Sequence, residues 1–200
     1  VASMVRAIRP RSWVAGALDY SSLNSESTRN AWGAPTRSTF RASDPYVDNT
    51  YGGNCGFWTA MWTELGGFDA SFEGFGGDEN EFFMRAHAAG YCVVSAADAV
   101  VAYRLRPGVR AVVRQRYRRG QAQITLRTTP GGALMPPAPT IVDSARALAR
   151  LALVSPRYVL RSSTRTHWLA TCGLHAGRIA GQWRIRRLTN AGHQRPGEAK

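Results

Sequence analysis

The chain has 200 residues, 44% of them hydrophobic, with a formal net charge of +13. That length holds one cored domain, or one domain with an appendage. Cys55, Cys92 and Cys172 are odd in number and lack C-x-x-C spacing, which excludes a disulfide framework or zinc knuckle, and no window holds the roughly 18–20 apolar residues of a membrane span.

The charge is unevenly spread. Residues 1–103 hold 7 Arg against 11 acidic residues, a balance of −4. Residues 104–200 hold 18 Arg and 1 Lys against 2 acidic residues, a balance of +17. A basic half points to an anionic partner: nucleic acid, acidic lipid or a phosphorylated substrate. The excess of Arg over Lys also fits a biased genomic composition. Val1 to Trp13 lacks the continuous apolar core of a signal peptide. The chain opens on Val and enters directly into a helical pattern, as expected for the second part of a longer protein; a non-ATG start read as Val is the competing explanation.

Val1, Met4, Val5 and Ile8 share one helical face, and Pro10 ends that helix. Residues 13–18 read as a buried strand. Residues 21–51 are rich in Ser, Thr, Asn, Asp and Pro and read as a long loop or a set of short elements; such a loop is commonly functional or mobile. Gly52-Gly53-Asn54-Cys55-Gly56 follows, either a plain turn or a substrate loop that lets the backbone approach a ligand. No Gly-Lys-Ser/Thr follows it, so it is not a P-loop. Thr59 is placed to cap a helix over 60–65, which Gly66 and Gly67 end in a left-handed turn. Phe68 and Phe72 are expected in the core.

Gly76-Gly77-Asp78-Glu79-Asn80-Glu81 places three carboxylates within four residues, ahead of an apolar helix. One reading is a helix start: Asp78 as N-cap, Glu81 three positions on as its capping-box partner, and acids in the first turn suiting the dipole. The other is a general base facing a cleft, since a sugar hydroxyl is a poor nucleophile until its proton is removed. The readings are compatible. The helix is expected to run to about Ala89, with Gly90 after it and His87 on the surface.

Residues 91–95 and 99–103 read as two short strands around Asp98. A basic helix over 108–126 would bury Val109, Val112, Val113, Tyr117 and Ile124. Its Arg110, Arg114, Arg116, Arg118 and Arg119 read as a solvated face or as contacts to phosphate or an anionic membrane. Residues 128–140 hold four prolines and two glycines and read as a linker or domain edge. An amphipathic helix spans 141–154. In a third helix Trp168, Cys172, His175, Ile179 and Trp183 line one side, and Arg178, Arg184, Arg186 and Arg187 load its end. These helices either dock on the domain or lie in a membrane interface. After Asn190 the tail is polar and expected to be disordered.

From Gly52 to Arg106 the chain resembles a family 2 glycosyltransferase of GT-A fold. The resemblance rests on Gly53-Asn54, Gly66-Gly67-Phe68-Asp69, Gly77-Asp78-Glu79-Asn80-Glu81, Arg85, Ala89-Gly90-Tyr91, Asp98-Ala99-Val100-Val101 and Tyr103-Arg104-Leu105-Arg106, in that order. It covers roughly half the chain. It implies an α/β fold: a partial GT-A, nucleotide-diphospho-sugar transferase-like domain with a mixed sheet over 1–127. The Pro/Gly linker over 128–140, a basic helical C-terminal extension over 141–188 and a tail over 189–200 would follow. The nucleotide-binding half would lie upstream, and the isolated piece is expected to be inactive.

The implied activity moves a hexosyl group from a nucleotide-sugar donor to a hydroxyl of a glycan or lipid-linked acceptor, with inversion. Glu79 stands at the family's base position and Asp78 beside it, in inverted order; Glu79 is favoured as base, with Asp78 as orienting partner or cap. Gly53 and Asn54 are implied as substrate contacts, and Arg104 and Arg106 as donors to the diphosphate. Arg85 is expected to stabilise the acidic helix start rather than touch substrate. A divalent cation, Mg²⁺ or Mn²⁺, would bind an Asp-x-Asp motif upstream of Val1, and no ligand within this stretch is implied. The family's His near the last strand is absent, Ala102-Tyr103 standing there. The expected setting is bacterial cell-envelope glycan synthesis, in the cytoplasm and peripheral at the inner membrane face.

Two other classes stay open. One is a basic module binding anionic membrane or nucleic acid, although zinc-finger spacing, helix-turn-helix and aromatic strand motifs are missing. The other is a glycosyltransferase-like scaffold without activity.

Overall fold

The computed structural model describes residues 1–39, 52–72, 76–159 and 162–193. The fold is α/β, as expected, and its mixed four-stranded sheet is built around β1 (Ser12–Asp19). All of β1 from Ser12 to Leu18 is buried. A strand covered on both faces needs a continuous apolar run, which is how this stretch reads. β4 (Cys92–Ala102) pairs in parallel on one side of β1. On the other side β3 (Cys55–Phe57) pairs antiparallel with its first half and β2 (Arg37–Ser38) with its end.

The two strands expected around Asp98 are one strand with a bulge. Gly16 pairs with Ala96 but Ala17 pairs with Val100, so residues 97–99 loop out. Asn54 fills the gap: its buried amide donates to the carbonyls of Ala17 (2.7 Å) and Ala99 (2.8 Å). The bulge thus leaves neither acceptor unpaired. A Cβ on Gly16 would stand 2.3 Å from that amide nitrogen and 2.6 Å from the Ala99 carbonyl oxygen, so glycine is required.

α1 (Ala2–Ala7) lays Met4, Ala7 and Ile8 against Val14, Ala96 and Ala99. The stretch after Ser21 contains α2 (Glu26–Trp32), capped by the Ser25 hydroxyl and closed by left-handed Gly33. Residues 40–51 of the expected loop lie outside the described residues. α3 (Thr59–Leu65) has Trp58 at its N-cap and no side-chain cap, so Thr59 is its first residue rather than its cap. Gly66 and Gly67 end it with φ of 73° and 75°, as expected. Phe72 is buried, but Phe68 is 42% exposed: it packs edge-on against Trp62 and Phe82 at the surface. Beneath lies the main core of Trp13, Met61, Phe82, Phe83, Ala86 and Tyr91, with the Trp13 and Phe83 rings stacked at 5.1 Å.

The C-terminal part is helical: α5 (Val109–Leu126), a 3-10 turn (Pro130–Leu134), α6 (Ile141–Leu153), α7 (Ser155–Val159) and α8 (Ser162–His193). α8 lies along α5, but not by the face expected for it. Trp183 is exposed and Trp168, Cys172, His175 and Ile179 are only half-buried. The buried stripe is Thr166, Ala170, Gly173, Gly177 and Gly181. A Cβ on Gly177 would stand 1.9 Å from the Tyr117 carbonyl oxygen, and one on Gly120 of α5 would stand 2.3 Å from that of Leu174. The helices therefore meet backbone to backbone. Small residues allow that approach, and with little side-chain area they do not stand out as an apolar stripe. For the same reason Tyr117 of α5 is exposed, although it was expected to be buried. α8 continues to His193, past Asn190; residues 194–200 lie outside the described residues.

Candidate functional site

α4 (Asp78–Ala88) begins differently from the capping-box reading. Its N-cap is Gly77, with φ 102°, and Asp78 is its first residue. Glu81 is 3% exposed and accepts from Arg85 at 2.7 and 2.8 Å, so it cannot reach back to cap. Arg85 also donates to the carbonyls of Leu65 and Gly67. One guanidinium thus holds the end of α3 against α4 and satisfies the buried Glu81 carboxylate. It faces the acidic helix start, not the cleft.

Gly76 and Gly77 both have positive φ. A Cβ on Gly77 would meet Ala122 of α5 at 3.1 Å. The glycine pair therefore brings the N-terminus of α4 directly against α5. Between them and the C-terminal end of β1 lies a cleft of about 400 Å³. Glu79 and Asn80 stand on one wall and Gln115, Arg116, Arg119 and Gln123 of α5 on another, and Leu18, Tyr20, Trp32, Ser38, Gly53, Tyr103 and Leu105 are among the other lining residues.

The Glu79 carboxyl is half-buried, and its pKa is raised. Burial is the largest cause; a hydrogen bond with Asp78 and the Asp78 charge add to it, against backbone N–H donation from Glu79 and Gly77. The Cys55 thiol, half-buried near Glu79, is pushed up to about 11 by desolvation and by that charge. A thiol held so far up is inert as a nucleophile at neutral pH. Asp19, at the end of β1, is held at about 2 by the hydroxyls of Ser21 and Ser22 and the Ser21 N–H.

The six residues singled out in the sequence divide. Glu79 and Gly53 line the cleft; Asp78 adjoins it through its hydrogen bond to Glu79. A Cβ on Gly53 would stand 3.1 Å from the Tyr103 ring, so glycine lets that ring lie over it. Asn54 is spent on the bulge. Arg104 and Arg106 are exposed and do not line the cleft. Of residues 103–106, Tyr103 and Leu105 line the cleft and the two arginines do not. The Leu105 N–H donates to Asn24 Oδ1 (2.7 Å) and Trp32 Nε1–H to the Arg106 carbonyl (2.9 Å), which hold this segment against α2 and the turn before it.

The guanidiniums on the cleft belong to Arg116 and Arg119. Arg116 donates to the Trp32 carbonyl at 3.3 Å. Burial, then the Arg119 charge, lowers its pKa; Arg178 is lowered by burial and by Arg127 and Arg119. The like charges of Arg116 and Arg119, and of Arg178 with Arg127 and Arg119, oppose one another across this part of α5 and α8. The missed signal was in the spacing. Arg116, Arg119, Ala122, Gln123 and Leu126 recur at three- and four-residue steps, so Arg116 and Arg119 share a stripe with buried Ala122 and Leu126. They do not belong with Arg110 and Arg114.

The cation implied by the resemblance finds no fitting donor set here: no group of three or more His, Cys, Asp and Glu side chains comes together among the described residues.

Residues 37–104 match the family model described as the N-terminal domain of galactosyltransferase. A glycosyltransferase-family domain is present. The match covers about a third of the chain and contains Gly53, Asn54, Asp78, Glu79 and Arg104. It supports glycosyl transfer in general, with a nucleotide-sugar donor and an acceptor. The α5 wall of the cleft lies outside it. No curated protein and no solved structure matches the chain.

Proposed function

We propose that the cleft performs the acceptor-side chemistry of an inverting, family 2-like hexosyltransferase of GT-A type. Glu79 takes the proton of the acceptor hydroxyl as that oxygen attacks the anomeric carbon of the donor. The bond from that carbon to the diphosphate oxygen breaks, and the nucleoside diphosphate leaves with the electron pair. Arg116 and Arg119, rather than Arg104 and Arg106, face the charge developing on the leaving group as fixed donors. Asp78 orients Glu79 through their hydrogen bond. In this reading residues 1–127 form the transferase part, and the helices after the linker brace α5.

The observation that carries the proposal is a half-buried carboxylate of raised pKa across one cleft from two guanidiniums. A carboxylate above its ordinary pKa is a stronger base once ionised. The test is nucleoside diphosphate release by the protein encoded by the complete reading frame. Glu79→Gln should lower turnover by roughly 10²–10⁴-fold, the usual worth of a general base. Asp78→Asn should cost less. Full turnover in Glu79→Gln would end the proposal. Salt-sensitive binding of random DNA that survives Glu79→Gln would favour the basic-module reading.

A further inference from the structure

α6 is apolar on two sides, and only one is accounted for. Its inner side rests on α8: Ser144 is fully buried and Trp168 Nε1–H donates to the Leu151 carbonyl at 3.0 Å. Its outer side carries Val142 (54% exposed), Ala145, Ala149 and Leu153 (82% exposed). Their steps of three and four residues make one stripe along the helix. Arg146 and Arg150, both exposed, run beside it. A helix that only packs on its own domain turns polar residues outward there.

α6 and α8 are antiparallel, since Gln182 donates to the Pro139 carbonyl at the other end of the pair. Trp183, 53% exposed, follows Gln182 and so lies at the Val142 end. Arg184, Arg186 and Arg187 are exposed around it. The single acid in residues 141–193 is Asp143, and it is engaged by Thr140 in a capping box. The surface is thus apolar and cationic with no free acid of its own. No helix among the described residues is long and apolar enough to cross a membrane.

We infer that α6 and the Trp183 end of α8 dock on an anionic phospholipid surface. Val142 and Leu153 enter the headgroup boundary, and the flanking arginines meet lipid phosphates. Charge complementarity selects this occupant. The arginines alone would suit any polyanion, but the exposed stripe between them needs an apolar phase. The inference is independent of glycosyl transfer.

The test is co-sedimentation with vesicles of phosphatidylglycerol and phosphatidylcholine against phosphatidylcholine alone. The protein should bind the first and not the second, and Arg146→Glu with Arg150→Glu should weaken binding severalfold. Val142→Glu with Leu153→Glu should abolish it while leaving the far-UV circular dichroism unchanged, because both sites are exposed. Brominated acyl chains should quench less fluorescence in Trp183→Phe than in the wild type. Failure to bind anionic vesicles, equal binding to neutral ones, or binding that Val142→Glu with Leu153→Glu leaves intact would each overturn the inference. The last result would mean electrostatic adhesion without insertion, as nucleic acid would also give.

Discussion

Burial first and then Asp78 raise the Glu79 pKa, and both effects oppose folding once it ionises. Its folded pKa lies above its unfolded value, so stability falls as pH rises through the window between them and stays lowered above it. Glu79→Gln removes that penalty. The variant should melt at a higher temperature than the wild type at neutral to alkaline pH and lose the advantage in acid; thermal melts across pH test this. The same shift should place the acid limb of kcat/KM above the ordinary glutamate range, because the base works only when ionised. Asp19 has the opposite sign. Its folded pKa of about 2 lies below its ordinary 3.8, so the stability it contributes is present above about 3.8 and is lost as pH falls toward 2. Replacing Ser21 and Ser22 by Ala should raise the Asp19 pKa, measured by NMR titration. At this scale the family resemblance singled out Glu79, and the structure places that residue on the cleft. The sequence could not assign roles to the other two, because Asp78 and Glu81 differ by burial rather than by chemistry. Glu81 meets Arg85 in the core, while Asp78 stays beside Glu79 at the surface of the cleft.

Elements are held in place here by close approaches that only particular residues permit. Asn54→Ala would leave the Ala17 and Ala99 carbonyls buried without a donor, at about 1–3 kcal/mol for an unsatisfied group. A chemical denaturation curve should show the loss as a lower midpoint with unchanged slope. Gly177→Ala would press a methyl into the Tyr117 carbonyl and push α8 from α5. Overpacking of this kind costs about 1–3 kcal/mol, and roughly 2–4 °C of Tm per kcal/mol in a chain of this size. Ala176→Gly, half-buried beside it, should cost only about 1 kcal/mol, the propensity difference. β1, α3, α4 and α5 were legible because their periods and the glycines that end α3 are local, whereas the N-caps expected of Thr59 and Asp78 were not found. The single bulged β4 was not legible, because a bulge is defined by the partner strand and filled by a residue some forty positions away. The buried face of α8 is not legible from hydrophobic spacing, because burial there follows from side-chain size.

The molecule as a whole joins an acidic, sheet-bearing half to a basic helical one, and the cleft is made from both. Glu79 comes from the first and Arg116 and Arg119 from the second, with α8 locked behind α5. Removing residues 162–193 should expose Val113, Gly120 and Ile124 on α5. The truncated chain should then aggregate or lose its near-UV circular dichroism, read by size exclusion and spectroscopy. A monomer with an unchanged near-UV spectrum would show that the sheet alone holds α5. By itself the sequence determined the central buried strand, the glycine-led acidic helix start and the charge division, which follow from local pattern and composition; the α/β class came from the family resemblance, and the structure shows it. Only the tertiary structure decided which arginines face Glu79. Arg104 and Arg106 are exposed away from the cleft, while a helix packed on Gly77 brings Arg116 and Arg119 to its wall, and the choice depends on where two distant backbones come into contact.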